Sequence, residues 1–454
     1  MMGASLSRWT MSCFAAALVA FVAAQALMVA GYGYPAAPLR APETLLVVHL
    51  VAIGWLSLLM MGALFQFVPV LVAKPLRDPA LVLPAVLCVL CGLAFLLAGF
   101  LQMAGAIEPG LPVLAWGGGL LVCGFSLSIW LLAHTLWQAR PLGLSARFVA
   151  TGLASLAAAM ALGLAFALAL SGIVDLPFAV ALDQRAVPFH ATAGIAGWLT
   201  FTAIGVTYRL LPMFMLSPEG DRAISRAGWL LGSAALALVV VAAPAAAFAG
   251  AGERTVALIV LAAGLCGCAA VALYGIDLAW LYRKRKRRAV ELNIRASAGA
   301  FAALLLALLL LLALAATGGL AEHAGALVYL VAFGWLSGLG LSQLYKIVPF
   351  LTWLECYGPV MGRKPTPRVQ DLVVERRDTG WFVLYFLGVY AGTAALLAGW
   401  PELFRLAAAA TLAATLALVV EFVLARRLAN VAAASRLPEG TRLPRLFIAG
   451  QRQG

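Results

Sequence analysis

Histidines are the residues of this sequence best suited to chemistry, because imidazole binds both transition metals and haem iron. The four positions are His49, His134, His190 and His323. Three of them lie six, eight and twelve residues before the tryptophan of a Gly-Trp pair, each time inside an apolar segment. His134 has no Gly-Trp pair after it and is interpreted as a structural residue near a membrane interface.

The three histidine-bearing segments share a wider pattern. They read HLVAIGWLSLLMMGALFQFVP at 49–69, PFHATAGIAGWLTFTAIGVTYRLLP at 188–212 and HAGALVYLVAFGWLSGLGLSQLYKIVP at 323–349. Counted from tryptophan, position 7 is Gly or Ser, position 10 is aromatic, position 11 is polar and position 14 is Pro. The small residues should admit a neighbouring helix. We expect the proline to end the helix, and Arg209 and Lys346 at position 11 to snorkel to the interface.

Helical geometry separates the histidines by face. Residues on an α-helix are about 100° apart, so positions six and eight before tryptophan point roughly 160° away from each other. His190 occupies the second of these positions, and His323 lies one turn before the matching Leu327. We therefore expect His190 and His323 to use equivalent faces, while His49 uses the other.

Composition predicts the elements that must carry these residues. The chain has 454 residues, 64% of them hydrophobic and 11% charged, with a mean hydropathy of +1.01. Apolar runs of this length cross a hydrocarbon core of about 30 Å as helices, because backbone groups must be satisfied within the element. The sequence predicts twelve spans, at 12–32, 44–73, 80–104, 110–137, 147–172, 188–216, 226–250, 254–282, 297–318, 323–352, 380–398 and 402–426.

The net charge of +13 indicates membrane topology rather than nucleic-acid binding. If the N-terminus is inside, the cytoplasmic loops, tails and adjoining helix ends hold 27 of the 31 Lys and Arg residues. This distribution obeys the positive-inside rule. It predicts a bacterial-type inner (plasma) membrane protein with both termini cytoplasmic, whose basic run at 283–288 faces anionic lipid of the bilayer. The loop 353–379 is expected to be a charged surface segment.

The tryptophans predict the domain organisation. Trp55, Trp198 and Trp335 are 143 and 137 residues apart, which corresponds to about four spans per repeat. The chain is therefore predicted to be a single membrane domain, 1–454. Its internal four-helix repeats cover approximately 1–140, 141–285 and 290–430, and a cytoplasmic tail covers 431–454.

The quoted segments resemble helices 2, 6 and 10 of subunit I of the haem–copper oxidase superfamily, which includes cytochrome c oxidases and nitric oxide reductases. The segments are also similar to those of NnrS-type membrane proteins. The pattern His-x-His-x5-Gly-Trp-x6-Gly-x2-Tyr-x3-Pro of helix 10 in that family carries the likeness. The resemblance implies an all-α fold of twelve transmembrane helices in three pseudo-threefold four-helix arcs.

The resemblance also implies ligand positions. His49 matches the helix 2 ligand of a low-spin haem, and His190 matches the helix 6 ligand of a copper ion. The two haem-ligand positions of helix 10 fall at Leu327 and Tyr329, neither of which is histidine. Haem iron also accepts tyrosine, so His49 with Tyr329 could hold haem b. Alternatively, His190 and His323 could hold copper or a haem, or the chain could bind no metal.

The number of histidines argues against a terminal oxidase. The family's full set of centres needs six histidines, and this chain has four. The sequence therefore predicts no oxygen or nitric oxide reductase activity. It favours a haem- or copper-binding role in respiration, nitrogen-oxide response or cofactor handling. Two alternatives stay open: a transporter or small-molecule binder without metal, and an interaction subunit for a redox partner of the membrane or periplasm.

Overall fold

The structure, a computed structural model, describes residues 9–108, 110–174, 186–437, 441 and 443–448. Within these ranges, twelve helices are each long and apolar enough to cross a membrane. They are α1 (Thr10–Val29), α2 (Pro42–Val72), α3 (Pro79–Met103), α4 (Val113–Trp137), α5 (Leu144–Leu170), α6 (Ala186–Met215), α7 (Ala223–Phe248), α8 (Glu253–Arg283), α9 (Leu292–Thr317), α10 (Leu320–Val360), α11 (Glu375–Ala398) and α12 (Pro401–Arg426). The prediction of twelve long apolar helices is confirmed, and the chain is consistent with a multi-pass integral membrane protein.

Local sequence explains where several helices begin and end. Pro42 and Pro401 are the first residues of α2 and α12, where the missing N–H would have no helical partner anyway. Gly318 and Gly399 follow α9 and α11 with φ of 76° and 70°. Glycine adopts this left-handed conformation without the strain that a Cβ would cause, so these positions end their helices.

The chain divides into two compact units. The first comprises residues 1–66 and 291–454, and within it α1 packs against α2 and α12, α9 against α10, and α11 against α12. The second comprises residues 67–290, and within it consecutive helices pack together from α3 to α6, as do α7 and α8. The first boundary falls inside α2. Packing units and sequence repeats are thus different divisions of the chain, and the three arcs remain a prediction.

Each of the three repeated helices contains a π-helical segment. These segments are Leu50–Ser57 in α2, Ala193–Phe201 in α6 and Leu330–Ser337 in α10. Each begins five residues before its tryptophan, so the sequence repeat has a structural counterpart in the same register. π-Helical turns are rare and occur frequently at functional sites. The α-helical spacing used to relate histidine to tryptophan therefore does not hold across these residues.

Serine hydroxyls support two of the π segments. The Ser57 hydroxyl donates to the Ala52 carbonyl at 2.7 Å, and the Ser337 hydroxyl donates to the Ala332 carbonyl at 2.7 Å. Both acceptors lie five residues back, where the widened turn changes the regular hydrogen bonding of the helix. The serine two residues after tryptophan was not recognised in the sequence as part of the repeated pattern.

The tryptophans of the repeat are core residues. Trp55 and Trp335 are fully buried, and Trp198 is 2% exposed. Trp55 Nε1 donates to the Ser337 hydroxyl at 2.8 Å and so joins the π segment of α2 to that of α10. The Phe21 ring of α1 stacks on Trp55 with centroids 4.6 Å apart. The repeated tryptophan therefore fixes helix packing.

Position 7 of the repeat permits close helix contact, as expected. A Cβ on Gly62 would lie 2.6 Å from Cys13 Cβ of α1, and a Cβ on Gly205 would lie 2.5 Å from Phe148 Cβ of α5. Both distances are too short for any larger residue. The prediction that small residues admit a neighbouring helix is confirmed at these two positions.

The prediction that the repeated proline ends each helix is wrong. Pro69, Pro212 and Pro349 all lie inside helices, which continue for three to eight further residues of α-helix. Membrane helices tolerate proline where neighbouring groups satisfy the freed backbone carbonyl. In α10 the additional turns carry Trp353 and Tyr357 out to the following loop.

The loop 353–379 is only partly the charged surface that we expected. Arg363 and Arg368 are exposed, but Leu372 is fully buried in a cluster with Tyr357 and Leu428. Trp353 Nε1 anchors the loop by donating to the Pro367 carbonyl at 2.6 Å. Leu372 and Val373 explain the difference, because they pack against Tyr357 at the extended end of α10.

We predict that Ser337→Ala destabilises the protein by about 1–3 kcal/mol, because it leaves the buried Trp55 Nε1 without its acceptor. Thermal unfolding of the detergent-purified protein measures the change. Ser171→Ala is the matched control, because that hydroxyl bonds only to the Ala167 carbonyl of its own helix end. Equal transition temperatures for the two variants would contradict a structural role for the Trp55–Ser337 bond.

Candidate functional site

His49 and Tyr329 occupy equivalent positions in two repeated helices of the first unit. Each lies six residues before its tryptophan and directly precedes the π segment. His49 Nδ1 is 2.8 Å from the Leu45 carbonyl one turn earlier. When Nδ1–H donates to that carbonyl, Nε2 carries the lone pair of the ring. Histidines that bind metals are commonly oriented through such a bond from the other ring nitrogen.

Tyr329 has an unusual environment for a buried tyrosine. Its ring stacks on Phe333 with centroids 4.7 Å apart, and it meets the Phe404 ring of α12 edge-on at 5.3 Å. The hydroxyl is enclosed and has no hydrogen-bond partner among the described residues. A Cβ on Gly392 would lie only 2.9 Å from it, so α11 leaves room for the hydroxyl and little more. Burying a hydroxyl without a partner is unfavourable.

The side-chain types of His49 and Tyr329 suit haem iron, whereas the Tyr329 ring is tightly packed. Imidazole and phenolate both ligate haem iron. The Tyr329 hydroxyl has no hydrogen-bond partner among the described residues, and a bond to iron would give it one. His49 is already oriented by the Leu45 carbonyl. The Tyr329 ring is packed between Phe333 and Phe404, and Gly392 lies against its hydroxyl. The residue types suit haem ligation, and His49 is the one whose ring is oriented as a ligand's would be.

His190 lies in the second unit, near the start of α6. Its Nδ1 is 3.0 Å from the Ala159 carbonyl of α5, and its ring meets Phe166 edge-on with centroids 5.7 Å apart. A Cβ on Gly163 would lie 3.2 Å from Cε1 of the histidine. The ring is thus oriented by a carbonyl of the neighbouring helix and seated beside a glycine.

The other two histidines have different settings. His323 is half-buried in the first turn of α10, and His134 lies in α4 with its ring centroid 5.3 Å from that of Trp130. His190 and His323 belong to different units, so their shared metal site stays a prediction. Among the residues that the structure describes, no three His, Cys, Asp or Glu side chains form a group that could hold a metal ion.

A buried ion-pair network near the start of α11 was not predicted. The Tyr345 hydroxyl, at position 10 of the repeat, donates to Asp378 Oδ2 at 2.7 Å. Arg377 Nε donates to Asp378 Oδ1 at 3.0 Å, and the same guanidinium pairs with Glu421 of α12. Glu421 also accepts from Asn430 at 2.8 Å. Both carboxylates are 1% exposed and share one guanidinium, and the Tyr345 hydroxyl and the Asn430 amide supply further hydrogen bonds inside the protein.

The second unit contains the same combination of side chains. The Tyr208 hydroxyl, again at position 10, donates to Asp277 Oδ2 at 2.9 Å, and Arg222 Nη1 donates to Asp277 Oδ1 at 2.8 Å. The Arg222 guanidinium also lies 4.3 Å from the centre of the Trp280 ring. The aspartates come from α8 and α11, so the chain repeats the chemistry without repeating the helix that supplies it. The sequence signal for these two networks was the tyrosine at position 10 of both repeats, Tyr208 and Tyr345.

Lys346, at position 11 of the repeat in α10, does not snorkel to the interface as expected. Lys346 pairs with Glu291, and their side chains are only 15% and 10% exposed. Gln370 Nε2 donates to the other oxygen of Glu291 at 2.8 Å. A carboxylate within reach keeps the ammonium among the helices instead of drawing it to the interface. Arg209, whose side chain is 47% exposed, pairs with the exposed Glu219 at 2.7 Å.

A small cavity with polar groups in its wall adjoins Lys346. It has a volume of about 10 Å³ and is lined by Glu291, Asn293 and Tyr345. The amide of Asn293 is buried and has no hydrogen-bond partner among the described residues. A cavity of this size with polar groups in its wall suits a single water molecule.

A simpler, exposed pair joins the connection before α7 to the first turn of that helix. Arg226 Nε donates to Asp221 Oδ1 at 2.7 Å. This hydrogen bond is the main reason why the pKa of the Asp221 carboxyl lies below its usual value. The pair is open to solvent, so it contributes little to stability.

We predict that Asp378→Asn destabilises the protein by about 1–3 kcal/mol, because it removes the buried carboxylate that accepts hydrogen bonds from Tyr345 and Arg377. Glu219→Gln is the control: it removes a partner from an exposed pair with a similarly short contact and should cost at most about 1 kcal/mol. Denaturant or thermal unfolding in detergent compares the two. A cost for Asp378→Asn no larger than that of the control would contradict the structural role of the buried network.

Comparison with known proteins assigns the chain to no family. No family model matches the chain, and a search of curated proteins finds no match. The resemblance to haem–copper oxidase subunit I therefore depends on the three repeated helices alone. It can support a proposal about function but does not establish one.

Proposed function

We propose that this protein is an integral membrane protein that binds one haem b through His49 and acts in a redox-related role rather than as a terminal oxidase. The orientation of His49 is the observation that carries the proposal. Its Nδ1 contact with the Leu45 carbonyl favours the tautomer in which Nε2 is the metal-binding atom. The adjoining π segment supports this position as a functional one.

Tyr329 is the proposed partner of His49 at the iron. It holds the equivalent position in α10, and its hydroxyl lacks a hydrogen-bond partner among the described residues. A bound haem would supply one-electron chemistry or binding of a small gas. In this proposal Leu45 orients the imidazole, while Phe333 and Phe404 keep water away from the Tyr329 hydroxyl.

The proposed role is limited by the number of histidines. Four are too few for the six-histidine set of a complete oxidase, so we propose a respiratory, nitrogen-oxide-response or cofactor-handling function. The excess of basic residues on one set of loops supports a bacterial inner membrane location with cytoplasmic termini. A redox protein of the membrane or periplasm is the proposed partner.

Other functions have less support. Copper at His190 and His323 is favoured only by the orientation of His190 through the Ala159 carbonyl. A proton-coupled transporter would use charged groups inside the membrane. The buried Asp277 is paired with Arg222, and the buried Asp378 and Glu421 share Arg377, which suits a structural role. An interaction subunit has no observation of its own in its favour.

We predict that protein purified in detergent from haem-replete cells has a Soret band, and that His49→Ala lowers the bound haem by roughly tenfold or more. Absorption spectra of the oxidised and reduced protein, with haem extraction, measure this. His134→Ala is the matched control and should retain the band, because that imidazole lies beside Trp130 on another helix. A colourless preparation, or equal haem in both variants, would sink the proposal.

We predict that Tyr329→Phe shifts the Soret and visible bands, because it removes the oxygen proposed to bind iron and keeps the ring. Tyr385→Phe is the control, because that hydroxyl donates to the Phe333 carbonyl at 2.8 Å and its loss should leave the spectrum unchanged. An unaltered Tyr329→Phe spectrum would exclude Tyr329 as a ligand. In that case, removal of the unpartnered hydroxyl should instead stabilise the fold by about 1 kcal/mol.

A further inference from the structure

A groove of about 300 Å³ runs between α9 and α11 in the first unit. Its lining is mostly apolar and includes Ala296, Gly299, Phe382, Val383 and Leu387. Val383 and Leu387 are 53% and 61% exposed, so the groove opens to the side of the helices. Because both helices are long and apolar enough to span a membrane, this side faces lipid chains.

The groove has a fixed shape. A Cβ on Gly299 would lie 2.7 Å from the Phe386 ring, so glycine lets that ring pack against the backbone of α9. The Tyr390 hydroxyl donates to the Gly299 carbonyl at 2.7 Å and ties α11 to α9 at the same point. A concave surface held in this way can select a chain from the surrounding lipid, whereas a flat helix face would not.

Charge is concentrated at one end of the groove. Arg295 lines it there, its side chain 48% exposed, and donates to Glu375 Oε2 at 3.1 Å. Glu375 also accepts the Leu292 N–H at 3.1 Å, so the carboxylate is shared with the start of α9. The exposed Arg376 lies seven and eleven residues before Val383 and Leu387, on the same stripe of α11. Arg295 is paired with Glu375, whereas Arg376 has no ion-pair partner among the described residues, so its positive charge is available at this end.

We propose that this groove binds one acyl chain of an anionic phospholipid, with the lipid phosphate at Arg295 and Arg376. The charged end lies at the start of both helices, on the side that the distribution of Lys and Arg predicts to be cytoplasmic. Basic pockets between helices on that side of a membrane bind the head groups of anionic lipids. Arg295 keeps further N–H donors for a phosphate after its bond to Glu375.

The test uses full-length protein equilibrated with equal amounts of phosphatidylglycerol and phosphatidylcholine in detergent. Lipid retained after gel filtration is counted by mass spectrometry. Wild-type protein should prefer phosphatidylglycerol by about fivefold, since one basic residue near the surface contributes about 1 kcal/mol. Arg376→Gln, which leaves the Arg295–Glu375 pair intact, should bring the ratio close to one. Arg77→Gln, in an exposed pair with Asp78, is the charge control and should keep it.

A second pair of variants tests the groove itself. Val383→Trp should reduce retained lipid of both kinds by filling the groove, and Leu406→Trp should not, because Leu406 is an exposed residue of α12 outside it. Equal retention in these two variants would overturn the groove as the site. An unchanged phosphatidylglycerol preference in Arg376→Gln would overturn the phosphate contact. A wild-type dimer that Val383→Trp dissociates would replace the lipid by a second copy of the chain.

Discussion

Backbone hydrogen bonding in an apolar medium is the constraint on which this structure depends. A membrane helix must satisfy its own N–H and C=O groups, so any departure from regular helix needs local compensation. The three repeated helices depart from it at the same place, around Gly-Trp. In α2 and α10, a serine hydroxyl donates to the carbonyl five residues before it, and the buried Trp55 donates to one of these serines. These hydrogen bonds compensate for the departure. The most irregular turns are therefore among the best packed.

Sequence reasoning predicted what depends on composition and period. The twelve helices follow from hydropathy, and close contacts at Gly62 and Gly205 follow from a small residue in register. Reasoning from an ideal α-helix could not predict the π segments, because widening a turn depends on the packing of its neighbours. The same limit explains the proline error. Whether Pro349 ends a helix depends on what satisfies the freed carbonyl, which one segment read alone does not contain.

The site was predictable in its residue types and less so in its contacts. His49 and Tyr329 were selected by position, and their equivalence at the edge of a π segment came from the structure. The orientation of the imidazole by Leu45 is a one-turn contact that could have been anticipated. The missing partner of the Tyr329 hydroxyl could not, because it depends on α11 and α12, which are distant in sequence.

The buried network around Arg377 also constrains how the protein is made. Glu421 lies in α12, and a lone carboxylate entering the bilayer with this helix would oppose its insertion. Its partner belongs to α11, which leaves the ribosome first. The counter-charge is thus already made when α12 follows. Chain order lets a carboxylate that is costly in the bilayer meet its partner from the preceding helix.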